Sequence, residues 1–371
     1  MQDESMTAAP NSPTERPCAE GSSRRVAMEV LGRVLTSSAR LQEMLPERAK
    51  VYRLSRRDEA FARELAAGCI RRLLTLDSVL EAFCAWQSVE EAVRHILRLG
   101  LYQLMFCDGV PARAAVYESV ELARKIGKAR AASFLNAVLR AIARDMKITR
   151  APGPKSPPDG GQARRAIYCR PGKWATFNRD ILPDPQQSDI AYLSRQLSYP
   201  EWLVRRWLTR YGRKKTWSLC EAGNEEPPIF LRPHAPKADC QKLIELLAQE
   251  GIKAEPSPSG RTVMLPTRVD TRTLKVLREG HCQVQDDSTA AVVTFLGPAK
   301  GARVLDLCAA PGGKTCQIAE MVGEEGQVIA VDDDAKRLRR LFENLESKTR
   351  FRKILRTAAP YTRSSVTSRV T

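Results

Sequence analysis

Small side chains crowd one stretch late in the chain. Val304–Glu320 reads VLDLCAAPGGKTCQIAE, and an acid, Asp332, follows Gly313 by 19 residues at the end of QVIAVD. Three ligand chemistries compete for the run Cys308, Ala309, Ala310, Pro311, Gly312, Gly313, Lys314, Thr315. A phosphate-binding P-loop needs a glycine five positions before its last one, and Cys308 stands there. A dinucleotide fingerprint needs G-x-G-x-x-G, and Gly312 and Gly313 are adjacent with Ala310 before them. A nucleoside-type cofactor asks less. Small residues let the backbone approach the ligand, a helix N-terminus offers amides, and an acid at the next strand tip bonds ribose hydroxyls about 20 residues on. Asp332 meets that spacing. The alternative is a plain strand–turn–helix with a solvated aspartate.

The elements that must hold this loop are those of a βαβ unit. ARVLDL predicts a strand, 308–313 the loop, 314–322 a helix, QVIAVD a second strand and AKRLRRLFENLE a second helix. Upstream, residues 1–23 are rich in Ser, Pro, Thr and charge and predict a disordered tail. Residues 24–147 carry apolar residues at helical spacing, as in Val26, Val30, Leu31 and Val34 or Val93, Ile96, Leu97, Leu101 and Leu104, and predict a bundle of five to seven helices. Ser55 and Asp58 suggest a capping box. Residues 148–189, with APGPKSPPDGG, predict a linker without helix or central strand. Residues 190–286 mix helices and short strands: YPEWLVRRWLTRYG interleaves basic residues with Trp202, Trp207 and Tyr211, and PIFLRP and RTVMLP read as strands. The tryptophans serve either RNA contact or packing. Residues 287–346 hold the βαβ signal, and 347–371 form a separate basic tail.

The 371 residues include 60 basic and 43 acidic side chains, a net charge of +17. Such an excess favours a polyanionic partner, or marks a merely soluble basic protein. Ten cysteines and three histidines contain no C-x-x-C pair, which argues against zinc. Without an apolar run of about 18 residues or a signal-type N-terminus, the expectation is a cytoplasmic protein away from membranes, its thiols mostly buried.

LDLCAAPGGKT followed by VIAVDDDAKRL resembles the cofactor motifs of the Nol/Nop/Sun RNA cytosine-5 methyltransferases, and QVQDDST is similar to their lead-in. YPEWLVRRW and NEEPPIFLRP resemble that family's N-terminal RNA-binding segment. DEAFARELAAGCIRR, LRLGLYQLMF, AVYESVELARKIG and FLNAVLRAI resemble a NusB-type RNA-binding domain, a pairing found in the bacterial 16S ribosomal RNA methyltransferase B subgroup. The resemblance spans about 24–346, linker excepted. It implies a multidomain fold: an all-α NusB-like bundle, a small α+β RNA-binding unit, then a partial α/β Rossmann-like methyltransferase domain. It implies S-adenosylmethionine as cofactor, held by Cys308, Ala309, Ala310, Pro311, Gly312, Gly313 and Lys314 with Asp332 on the ribose, and 16S ribosomal RNA as partner. Apart from the resemblance, a monomer without metal is expected. The resemblance also implies covalent catalysis, in which a cysteine thiolate adds to carbon-6 of cytosine so that carbon-5 takes the methyl group, and a second cysteine assists enzyme release.

The family carries those cysteines in Pro-Cys-Ser and Thr-Cys-Ser motifs, and neither occurs here. The stretch SKTRFRKILRTAAPYTRSSVTSRVT has seven basic residues, no acid and no hydrophobic period of a third strand. It reads as an unrelated tail of the kind a truncation or frame change gives, or as a divergent RNA-binding tail. Cys308, Cys316 and Cys282 (beside His281) are not expected to serve as nucleophile. Two readings stand: a ribosomal RNA cytosine-5 methyltransferase by descent, inactive as written, and a non-catalytic RNA-binding protein.

Overall fold

The structure, a computed structural model, describes residues 22–150, 160–235, 237–265, 269–334, 337–339 and 341–342, and the backbone of 355–360. Most of the expected N-terminal tail, residues 151–159 of the expected linker and most of the basic tail lie outside these residues. The chain divides into two compact units, Met1–Glu225 and Glu226–Thr371.

The first unit opens with seven α-helices: α1 (Ser23–Thr36), α2 (Leu41–Val51), α3 (Arg56–Arg71), α4 (Leu73–Glu81), α5 (Glu91–Phe106), α6 (Ala112–Lys125) and α7 (Ala132–Asp145). The apolar stripes face one core, where Val26, Val30, Leu31, Leu65, Ile96, Leu97 and Leu139 are inaccessible to solvent. Ser55 caps α3 by accepting from the Asp58 amide at 3.1 Å. Gly68 is required where α3 meets α5: a Cβ there would lie 2.0 Å from Cζ of Tyr102. The Tyr102 hydroxyl donates to Glu64 at 2.7 Å.

The expected linker is a correction. Strands β1 (Lys147–Arg150), β2 (Ala166–Arg170) and β3 (Lys173–Thr176) form an antiparallel sheet of order β1-β3-β2. The hairpin turns at Pro171-Gly172, with Gly172 at φ 72°, the positive φ that a Pro-Gly turn demands. Ile167, Tyr168, Cys169, Ala175, Phe177, Ile181 and Leu182 enter the bundle's core, so this segment packs rather than tethers. Two helices complete the unit: α8 (Asp189–Leu197) and α9 (Glu201–Asn224), the latter broken at Gly212 (φ 72°, ψ 172°). The unit expected over 190–286 is therefore divided, its two helices packing with the bundle.

In the second unit β4 (Ile229–Pro233), α10 (Cys240–Gln249), β5 (Glu255–Pro256), β6 (Val263–Leu265), α11 (Lys275–Arg278) and β7 (Cys282–Val284) build an antiparallel sheet of order β5-β6-β4-β7. Leu231, Leu243, Leu247, Val263 and Leu265 bury between sheet and helix. Then follow α12 (Asp287–Leu296), β8 (Arg303–Asp306), α13 (Gly313–Val322), β9 (Gln327–Asp332) and β10 (Leu355–Pro360). The last three strands pair in parallel in the order β10-β9-β8. The third strand corrects the expectation of none. Pairing to the edge of β9 uses backbone donors and acceptors, which any β-compatible segment supplies without a hydrophobic period.

Candidate functional site

Two parallel strands end side by side, and the loop of small residues leaves the first of them. The Ala309 amide donates to the Val331 carbonyl at 3.0 Å. The Ala310 amide donates to Oδ2 of Asp332 at 3.0 Å. These bonds bring the loop and the strand-tip acid, 22 residues apart, into one place. Asp332 is 2% exposed. Its Oδ1 accepts from the Asp334 amide at 3.1 Å. Ala309 and Ala310 are buried, and Cys308 and Pro311 are exposed. Gly312 takes φ 105°, and a Cβ there would press on Leu341 at 3.3 Å. That glycine is needed both for its left-handed backbone and for its missing side chain. It is the N-cap of α13, without a side-chain cap. The amides of Gly313, Lys314 and Thr315 in the first turn have no acceptor inside the helix.

Asp306, Thr315 and Arg337 support the loop. Asp306, buried at the end of β8, accepts from the Thr315 hydroxyl at 2.7 Å and from the Cys308 amide at 3.3 Å. It pins both ends of the loop. Arg337 donates through Nη2 to the Ala310 carbonyl at 2.5 Å and stands 3.8 Å from Asp332. Asp306 had a signal, an acid ending a strand just before small residues. Arg337 had none that separates it from Arg339 or Arg340.

A buried polar network holds α13 from the other side. Arg232 of β4 meets Glu320 of α13 through two bonds, Nη1–Oε2 at 2.5 Å and Nη2–Oε1 at 2.8 Å. His234 Nδ1 lies 2.8 Å from Oε1 of Glu320. Burial alone would push the Glu320 carboxyl up, but the bonds from Arg232 and His234 outweigh it and hold it below its ordinary value. Gln285 bonds Gln317 at 2.7 Å, and Gln283 donates to the Gly313 carbonyl at 2.9 Å. The antiparallel sheet thus fixes the helix whose N-terminus closes the loop. Asp287, in the lead-in QVQDDST, accepts from Ser257, Ser259 and Thr262 at 2.8, 2.5 and 2.8 Å.

Of the other thiols, Cys316 is 1% exposed in the core beneath the sheet and Cys282 is 2% exposed. Among the described residues no cluster of His, Cys, Asp and Glu could hold a metal ion, and no helix is long and apolar enough to cross a membrane.

Known proteins share these domains, although the ferredoxin-like match takes in α9 and so crosses the division at Glu225. The NusB family matches residues 21–144, the ferredoxin-like domain of RsmF/B-like methyltransferases matches 199–272, and 16S rRNA methyltransferase RsmB/F matches 293–362. Ribosomal RNA small subunit methyltransferase B of Escherichia coli O1:K1 / APEC is 31% identical over 327 residues, 87% of this chain and 66% of that protein. The probable ribosomal RNA small subunit methyltransferase B of Bacillus subtilis (strain 168) is 30% identical over 310 residues, 83% of this chain and 62% of that protein. The chain thus spans just under two thirds of the length of these relatives. In fold it is similar to the crystal structure of PH0851, with a TM-score of 0.64 at 18% identity, covering 91% of this chain and 69% of that one.

Proposed function

Because this chain belongs to the family of ribosomal RNA small subunit methyltransferase B, we propose that its second unit holds S-adenosylmethionine against the loop 308–314 and Asp332, and that its substrate is a cytosine of 16S ribosomal RNA. The observation that carries the donor site is the Ala310–Asp332 bond, which sets a small-residue loop, a helix N-terminus and a strand-tip acid around one point. These residues fit a nucleoside. Each Asp332 oxygen accepts one amide proton and keeps a lone pair for a ribose hydroxyl. The small side chains at 309, 310, 312 and 313 leave the backbone open to close approach. Bound there, S-adenosylmethionine would supply an electrophilic methyl group.

The proposed acceptor is carbon-5 of the cytosine, made nucleophilic by a thiolate on carbon-6. No cysteine of these 371 residues stands in a Pro-Cys-Ser or Thr-Cys-Ser context. Cys316 is buried in the core and Cys308 belongs to the donor loop. The reading for the chain as given is donor and RNA binding without turnover, which keeps the non-catalytic RNA-binding alternative in view. Calorimetric titration with S-adenosylmethionine tests the donor site, and the absence of heat would sink it. Transfer of labelled methyl to unmodified 16S RNA tests turnover. Incorporation abolished by Cys308→Ala or Cys316→Ala would show that one of these thiols does act.

A further inference from the structure

The first half of α9 has two unlike faces. Val204 is inaccessible, and Trp207 and Leu208 pack against the core of the first unit. Those residues seat the helix. On the outward side Trp202 is 65% exposed, with Arg205, Arg206 and Thr209 exposed at i+3, i+4 and i+7. From Thr209 to Lys215 every residue is exposed, and this segment adds Arg210, Tyr211, Arg213, Lys214 and Lys215 around the break at Gly212. The Tyr211 ring has the Arg210 guanidinium 5.4 Å and the Lys215 ammonium 5.3 Å from its centre. Arg213 is paired with Asp189. Arg205, Arg206, Arg210, Lys214 and Lys215 form no ion pair with a carboxylate among the described residues.

We propose that this outward face of α9 binds an unpaired stretch of RNA, with a base stacked on Trp202 and phosphates on the surrounding arginines and lysines. The proposal deepens the ribosomal RNA reading and rests on it for the partner's class. Five uncompensated cations on one short stretch match a polyanion. A large indole left in water beside them is what a stacking platform needs, because every base has a π-face. The convex helix favours unpaired over duplex RNA. In an A-form duplex the bases are stacked in the helix and the deep major groove does not admit side chains, whereas splayed bases reach an exposed ring.

The test uses the full chain and two labelled probes, a 12-nucleotide pyrimidine strand and a 12-base-pair RNA duplex, followed by fluorescence anisotropy over a range of salt. Trp202→Ala weakens the single strand about tenfold, the scale of one base stack, at an unchanged salt slope. Trp202→Phe retains most of the affinity. Arg205→Gln with Arg206→Gln lowers the slope by about 0.7 for each phosphate that is no longer neutralised. Wild-type single-strand affinity in Trp202→Ala overturns the proposal, as does an equal loss on the duplex. Polyglutamate competing as well as RNA would assign the face to an acidic protein and also overturn it. S-adenosylmethionine titrated into the same samples separates the two readings: a wild-type chain that binds the strand but no cofactor sinks the donor site and leaves this face standing.

Discussion

Arg232 and Glu320, 88 residues apart in sequence, close a bidentate ion pair at 2.5 and 2.8 Å with both side chains under a tenth exposed. One belongs to the antiparallel sheet and the other to the helix behind the small-residue loop. Removing either partner strands the other charge in a buried site, at a cost of about 3–5 kcal/mol. Urea unfolding of Arg232→Gln and Glu320→Gln should show this for each single variant, with a smaller loss in the double variant than the sum. Strict additivity would show that the pair does not couple.

The same carboxylate sets an acid limit. Its folded-state pKa lies below the ordinary value of 4.5. Its stabilisation is therefore complete above that unfolded value and is lost as pH falls through the depressed folded one. Glu320→Gln should flatten the decline of the unfolding midpoint on the acid side of about pH 4.5. An unchanged acid limb would remove Glu320 as its source.

Asp332, Asp333 and Asp334 are adjacent and unlike. Asp332 is buried against the loop, Asp333 is exposed, and Asp334 accepts from the Arg337 amide at 3.1 Å. Asp332→Ala should weaken S-adenosylmethionine binding by about 1.5–3 kcal/mol, the scale of a lost charged hydrogen bond, with far less effect from Asp333→Ala. Calorimetry decides it, and equal losses at 332 and 333 would refute the assignment.

Thr315 donates to buried Asp306. Thr315→Val keeps the shape and leaves that oxygen short of a donor, at a cost of about 1–3 kcal/mol. Thr315→Ser should restore most of it. Thermal unfolding of both variants is the measurement, and a Val variant as stable as wild type would show that water replaces the hydroxyl.

What was legible in the sequence was local. The loop, its flanking strands and Asp332 lie within 30 residues, and their spacing exposes them. The helical stripes of the bundle are legible for the same reason. The hairpin at Pro171-Gly172 was hidden by its neighbourhood: APGPKSPPDGG made the whole stretch look like a linker, although AIYCR and KWAT flank a proper turn. β10 pairs by backbone, so its side chains gave no period. The Arg232–Glu320 pair and the Arg337–Ala310 bond are tertiary, and one sequence carries no trace of which distant charges meet.

The break at Gly212 has a consequence for proteolysis. Arg210, Arg213, Lys214 and Lys215 sit within the fully exposed stretch on either side of it, so trypsin should nick here early. Yet Val204 before the break and Trp217 and Cys220 after it are buried in one core. The severed chain should therefore elute as a single particle from a sizing column and separate into two pieces only in denaturant.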